Sequence, residues 1–376
     1  MTEFGARAVS GLQGSWTLLA VPLALSFLGL LTMHTFGEGS LAPRQLLWIG
    51  IGTLAFTICA SLDMHFLRRT SVIIVGYIGV LLLLVALLLI APEISGAKSW
   101  FSFGVFSFQP ADLAKIVFIA LMAKYFSRRH MEIGHVFHII LSGVYAALPM
   151  LLILLQPDLG TAVIMGAVWF GIVLVSGISK KHLAIALVLG AVLAAGLWSF
   201  GLHDYQRTRI ISFLNPAADI HGSGYNAYQA VVAVGSGELL GKGIGYGTQS
   251  KLRFLPEYET DFIFAAFAEE WGFVGIVFVL LLFGLLLFQL LSIARRSATN
   301  FDALFTIGVV VLLTSHFFIH VGINLGLLPV TGTTIPFMSY GGSHILMEFT
   351  ALGIVASLAK HARSVPRDRA GQEYEG

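Results

Sequence analysis

Ten separated apolar runs, each close to the length that crosses a lipid bilayer, dominate this chain of 376 residues and leave little room for a water-soluble fold. A spanning helix needs about 20 mostly apolar residues, because about 30 Å of hydrocarbon is crossed at ~1.5 Å per residue. The runs lie near residues 15–36, 46–62, 72–91, 111–126, 137–156, 159–177, 183–199, 262–293, 303–325 and 343–360. Composition agrees, with 57% hydrophobic and 11% charged residues against about a quarter charged in soluble domains. The expected fold is an all-α integral membrane protein of about ten transmembrane helices, one polytopic domain over residues 1–376. The first run is longer than the apolar core of a cleavable signal, about 7–15 residues, and more spans follow it, so it reads as a span. The eighth run is long and carries Glu269 and Glu270 near its start, which places its first turns at or above the interface.

Positively charged short loops are retained on the cytoplasmic side. With the N-terminus inside, the inner segments hold Arg7, Arg68, Arg69, Arg128, Arg129, Lys180, Lys181, Arg295, Arg296, Lys360, Arg363, Arg367 and Arg369, and the short outer loops only Arg44 and Lys98. Both termini are therefore expected in the cytoplasm, with a polar, disordered tail over 361–376. A net charge of +2 gives no footprint for nucleic acid. The single cysteine, Cys59, excludes an intramolecular disulfide and a cysteine metal cluster. One long connection, 200–260, lies on the outer side between the seventh and eighth spans, and a loop of that length is usually functional. Within it Ala227–Val234 is too short to span and too apolar to be fully wetted, so it lies in the interface or folds back on the bundle. The glycines of GKGIGYG (241–247) then permit positive φ or close approach to a ligand.

An ionisable group in or beside the hydrocarbon is a functional candidate by default. Asp112 and Lys115 follow Pro110 and share a helix face, as either a structural ion pair or a substrate contact. Asp158 marks the break between the fifth and sixth runs, and Arg44 precedes the second. Asp261 directly precedes an apolar run in LPEYETDFIFAAF, as a reactive carboxylate or a charge favoured by the helix dipole. Glu257 and Glu259 beside it read as solvated groups able to hold a cation or orient a sugar. Arg207 and Arg209, two apart, would clamp a phosphate with their guanidinium forks. Lys242 follows a glycine as in a phosphate-binding loop, but Ser236 and Gly243 break that pattern. His316 and His320 have the spacing of a helical metal pair without a third ligand, and bundle packing or hydrogen bonding is the simpler reading. Trp100, Phe101, Phe103, Phe106 and Phe108 read as an interfacial aromatic belt.

Four motifs in order, FSFQPADLAK (106–115), QPDLGTA (156–162), GTQSKLRFLPEYETDFIFA with AEEWGFVG (247–275) and PFMSYGGS (336–343), give a specific signature. On them the chain resembles the SEDS family (shape, elongation, division and sporulation) of bacterial peptidoglycan polymerases over essentially the whole membrane region. The form GTQSKLRFLPE and the NPAADIHGSGY segment are closer to its elongation branch than to its division branch. The resemblance implies a multi-pass protein of the bacterial cytoplasmic membrane. Its implied activity is polymerisation of lipid II into β-1,4-linked glycan at the outer face during elongation and shape maintenance, with release of undecaprenyl pyrophosphate. It makes Asp261 the essential carboxylate and carries Asp112, Lys115, Asp158, Arg44, Ser339 and Tyr340 into the substrate-binding set, beside Arg207, Arg209, Glu257 and Lys242. It also implies a class B penicillin-binding protein transpeptidase and other elongation-complex proteins as partners. Three positions depart from the family pattern: Asp112 stands where the family usually has Glu, Ser99 where an arginine follows the loop lysine, and Thr333 and Thr334 in a stretch usually more apolar.

The chemistry suits these residues. A sugar pyrophosphate donor carries its own activation, so displacement at the anomeric carbon needs one base and positive charge for the departing pyrophosphate. Asp261 is the expected base, with Lys115, Arg44, Arg207 and Arg209 as phosphate partners and Asp112 and Asp158 orienting the cations. A divalent cation, Mg²⁺ or Mn²⁺, would suit the leaving group, although spacing reveals no ligand set. The competing reading is a lipid II flippase, which needs polar groups at both faces and a path between them; the ionisable residues gather at one end instead.

Overall fold

The computed structural model describes residues 2–34, 41–91, 99–103, 106–128, 136–202, 204–215, 222–252 and 254–362. Ten long helices among these follow the apolar runs in order. They are α1 (Thr2–His34), α2 (Ala42–Ser61), α3 (Thr70–Ile90), α4 (Pro110–Ser127), α5 (Val136–Leu155), α6 (Leu159–Val175) and α7 (Lys180–Gly196), then α11 (Ile263–Arg296), α12 (Asn300–Asn324) and α13 (Gly342–Ala362). Eight are long and apolar enough to cross a membrane. The other two are α6, with 17 residues, and α4, which carries Asp112, Lys115 and Lys124.

Local chemistry sets the starts. Pro110 opens α4, where its missing N–H is an orphan in any case. Asp158 caps α6 by accepting from Thr161 N–H at 3.0 Å, and the Thr299 side chain caps α12. The all-α expectation needs one amendment, because Phe101–Phe103 (β1) and Phe106–Phe108 (β2) pair antiparallel with Phe101 opposite Phe108. The aromatic residues expected as a belt thus alternate along a small hairpin, and its second strand leads into α4 and packs beside α13. Helices α4 and α12 occupy the centre, packing on each other and on α6. The α2–α13 pair packs through small residues: a Cβ on Gly353 would lie 2.8 Å from the Phe56 carbonyl oxygen. Close backbone approach of this kind drives helix association where lipid removes the hydrophobic force. In contrast, α7 buries 6% of its spanning stretch.

The 200–260 connection holds α8 (Asp204–Leu214), α9 (Ser223–Ser236) and the single turn α10 (Thr248–Lys251). The apolar segment expected in the interface or folded back takes the second course: Ala230 and Ala233 of α9 are buried with Phe262, Ala266 and Ile323 of the bundle. Helix α11 breaks at Gly272, whose φ of 64° and ψ of −165° leave helical geometry. The carbonyls this frees on Glu269 and Glu270 accept the Lys242 and Gly243 amides, each at 3.0 Å. The Phe273 and Val274 amides in turn reach the carbonyls of Glu238 and Leu239. Glu269 and Glu270, the two carboxylates near the start of this long run, are both buried within the protein, enclosed by the glycine-rich segment wrapped over them. Lys98, Arg129, Arg253, the 363–376 tail and most of the NPAADIH stretch lie outside the described residues.

Candidate functional site

Asp261 stands one residue before the N-cap of α11, on a backbone that is pinned from two sides. The amides of Thr260, Asp261 and Phe262 all donate to the Glu257 carbonyl, at 3.0–3.2 Å. Three consecutive carbonyls then accept from the far end of α12 and the loop after it. Tyr340 N–H donates to Glu259 at 2.8 Å, Ser339 Oγ to Thr260 at 2.7 Å, and Asn324 Nδ2 to Asp261 at 3.1 Å. Among the described residues no hydrogen bond or salt bridge occupies the Asp261 carboxylate. Its Oδ2 faces Gly332, close enough that a Cβ there would lie 3.6 Å away. Burial pushes the Asp261 carboxyl up to about 7, with the Glu257 charge adding to the rise and Arg209 opposing it. A carboxylate poised near neutrality, rigidly carried and unpaired, is suited to take a proton.

Behind it runs a buried polar stripe on α12. His316, His320 and Asn324 recur every four residues and so share one face. His320 Nδ1 donates to the Thr333 carbonyl at 2.7 Å and His316 Nδ1 to the Thr334 carbonyl at 3.3 Å. With Nδ1 donating, His316 Nε2 is left to accept from Lys115 Nζ at 3.2 Å. Lys115 also lies 2.7 Å from Asp112 Oδ1, both side chains at most 4% exposed. His344 closes the group, its Nδ1 3.4 Å from Asp112 and its Nε2 2.9 Å from Glu348, while Glu348 Oε2 accepts the Phe337 amide. Asp112, Lys115, His316, His344 and Glu348 line a cavity of about 10 Å³, near the smallest that holds one water. Neither histidine pair nor carboxylates converge as a group of three or more metal ligands among the described residues.

The remaining expected residues divide. Asp158 keeps both oxygens occupied, by Thr161 N–H and by Gln109 Nε2 at 3.0 Å; burial raises its carboxyl. Ser99 donates to the Gln156 carbonyl and so braces the same turn. Ser339 is not open to substrate, since its hydroxyl accepts from Ile335 N–H while donating to Thr260, and it is buried. Tyr340 contributes its backbone amide. Lys242 gives its ammonium to Glu269 at 2.7 Å and Thr248 at 2.8 Å, anchoring the glycine-rich segment. Arg207 and Arg209 do not form the expected clamp, because they stand on a helix, α8, where residues two apart point to opposite sides. Arg207 reaches back to the Ser199 carbonyl and towards Asp204. Arg209 lies over the Tyr205 ring, 5.6 Å from its centroid, with Nη1 directed at the Val330 carbonyl beside Gly332. Glu257 accepts the Thr260 hydroxyl at the rim, Glu259 accepts the Leu41 amide, and Arg44 is exposed at the start of α2. Asn324, His344 and Glu348 are additions of the structure. Asn324 continues the His316–His320 spacing by one more turn, and His344 and Glu348 stand four apart inside the last apolar run.

Comparison with known proteins returns consistent relatives. The family model described as a cell cycle protein, spanning FtsW, RodA and SpoVE, matches residues 10–364. Peptidoglycan glycosyltransferase MrdB of Escherichia coli (strain K12) is 38% identical over 291 residues, 77% of this chain and 78% of that protein. The crystal structure of Thermus thermophilus rod shape determining protein RodA superposes with a TM-score of 0.70 at 30% identity, covering 92% of this chain and 97% of that one. A chain of a peptidoglycan synthase complex that coordinates polymerization and crosslinking reaches a TM-score of 0.79 at 31% identity, covering 93% and 98%.

Proposed function

The chain belongs to the FtsW, RodA and SpoVE family, and from that premise we propose that Asp261 is the general base with which it polymerises lipid II at the outer membrane face. The protein is a multi-pass membrane protein and a peptidoglycan glycosyltransferase. In the proposed step the acceptor 4-hydroxyl oxygen attacks the anomeric carbon of the donor sugar. The carbon–oxygen bond to the lipid pyrophosphate breaks, and the leaving group keeps the electron pair. The hydroxyl proton passes to Asp261. A single displacement turns an α-linked donor into a β-linked strand. The observation that carries this reading is the pairing of an open carboxylate, raised to about 7, with a backbone held at three successive carbonyls.

Arg209, beside Gly332, and the exposed Arg44 are the cations we assign to the departing pyrophosphate. Lys115 stays behind them, committed to Asp112 and His316. Among the described residues no three His, Cys, Asp or Glu side chains assemble as ligands for a divalent cation. The outer-face placement rests on the excess of Lys and Arg in the opposite loops. The elongation role rests on the GTQSKLRFLPE form. A class B penicillin-binding protein transpeptidase is the proposed partner, by analogy with the crosslinking complex above. Purified protein with lipid II in detergent, with and without such a transpeptidase, should yield glycan polymer. Lipid translocation in liposomes without polymer would overturn the reading in favour of a flippase.

A further inference from the structure

The geometry points to Asn324 as the positioning residue of Asp261: its buried amide donates to the Asp261 carbonyl and accepts from the Ala265 amide, fixing both sides of the turn that carries the base. The inference rests on Asp261 acting as the base. Helix α11 begins without a side-chain cap of its own, because its N-cap is Phe262. The first amides of a helix have no partner within it, and the Ala265 N–H is one of these. Asn324 Oδ1 supplies its acceptor from a different helix, at 3.0 Å. Its Nδ2 meanwhile bridges the carbonyls of His320 at 2.8 Å and Asp261 at 3.1 Å. One side chain, with no exposed surface, thereby ties the last turn of α12 to Asp261, the residue before the N-cap of α11.

The assignment is of a positioning residue because Asn324 reaches the backbone of Asp261 and leaves its carboxylate free. Among the described residues no other bond reaches that carbonyl: Ser339 and Tyr340 hold the two preceding carbonyls and leave that of Asp261 to Asn324. Releasing it lets the carboxylate rotate relative to Gly332, and misplacing a catalytic group by about 1 Å can cost ~10²-fold in rate.

The test replaces Asn324 by a residue of similar size with neither hydrogen bond, Asn324→Leu, and by the longer amide, Asn324→Gln. With lipid II as substrate, Asn324→Leu should lower kcat by about tenfold or more while KM stays within about twofold, the pattern of a lost transition-state interaction. Asn324→Gln should recover part of that loss. An unchanged kcat in folded Asn324→Leu overturns the inference, as does a fall in kcat matched by KM or a Gln variant no better than Leu. If Asn324→Leu fails to insert, Asn324→Gln decides: a lower kcat at wild-type melting temperature supports the positioning role and an unchanged kcat overturns it. Asp261→Asn, run alongside, separates the two readings. Activity in that variant removes the base itself, whereas an inactive Asp261→Asn with wild-type Asn324 variants removes only the present inference.

Discussion

Asp112 and Asp261 are both aspartates at the start of a bundle helix and at the same end of the molecule, where Ser343 meets Gln109 and Tyr340 meets Glu259. They are held in opposite ways. Asp112 is fixed through its side chain, with Lys115 and His344 both on Oδ1. Asp261 is fixed through its backbone, which leaves the half-buried carboxylate unpaired among the described residues. The difference teaches that a charge surrounded by partners within a bundle maintains helix contacts, whereas a charge whose main chain carries the constraint can change its proton without loosening the fold. Lys115 and His316 draw α4 to α12, and His344 draws α13 to both.

The sharpest way to break this comparison is to exchange the effects of the two sites. Asp261→Asn should lower lipid II polymerisation by about 10²–10⁴-fold, the usual contribution of a general base. The melting temperature of the same variant should hold or rise, because a half-buried carboxylate without a partner is itself unfavourable. Polymer formation on gels and thermal melting of the detergent-solubilised protein measure the two sides. A variant with normal polymer output ends the base assignment.

Lys115→Ala should behave in the reverse sense. Removing one partner of a buried pair strands the other charge and costs roughly 3–5 kcal/mol, so the melting temperature should fall steeply. The double variant Asp112→Asn/Lys115→Met should regain part of the loss, since it removes both charges together. If Lys115→Ala melts like the parent yet polymerises nothing, Lys115 faces substrate as its motif implies, and the two aspartates do not differ in this way.

Much of this is legible in the sequence. Ten apolar runs became ten helices with ends displaced by only a few residues for most of them, because the length of a span is dictated by the bilayer. Asp261 was legible as a carboxylate abutting an apolar run, and the motif around it singled out the same residue. What the sequence concealed were contacts between distant segments. Arg207 and Arg209 read as a clamp only while their segment was taken for a loop; as part of α8 they diverge. That Glu269 and Glu270 are enclosed was not legible either, because nothing local shows that residues 237–249 fold over them. The fit there is backbone on backbone: a Cβ on Gly241 would lie 2.0 Å from the Glu270 carbonyl oxygen. Glu348 and His344 show in the sequence only their spacing of four, and their place in the buried group depends on Asp112 from the distant α4.

The smallest expected effect is also the most specific to Asp261. A base must be ionised to accept a proton, so with its carboxyl near 7 Asp261 is mostly protonated below that pH, and the polymerisation rate should fall about tenfold per pH unit there. Rate should therefore rise through about 7 and then level. Glu257 contributes to the raised value by like-charge repulsion, and Arg209 works against it. Removing the neighbouring charge in Glu257→Gln should consequently move the rising limb to lower pH by a fraction of a unit, since Glu257 is exposed and water screens its charge. Arg209→Gln should move the limb the other way, independently of any loss in pyrophosphate departure, because the limb reports the ionisation of the base and the plateau reports the leaving group. The same pair of substitutions should leave thermal melting nearly unchanged, in contrast to Lys115→Ala. If both shifts have the same sign, or the limb does not move with either charge, the titrating group is not Asp261, and the neutral-pH proton acceptor must be sought elsewhere around Gly332.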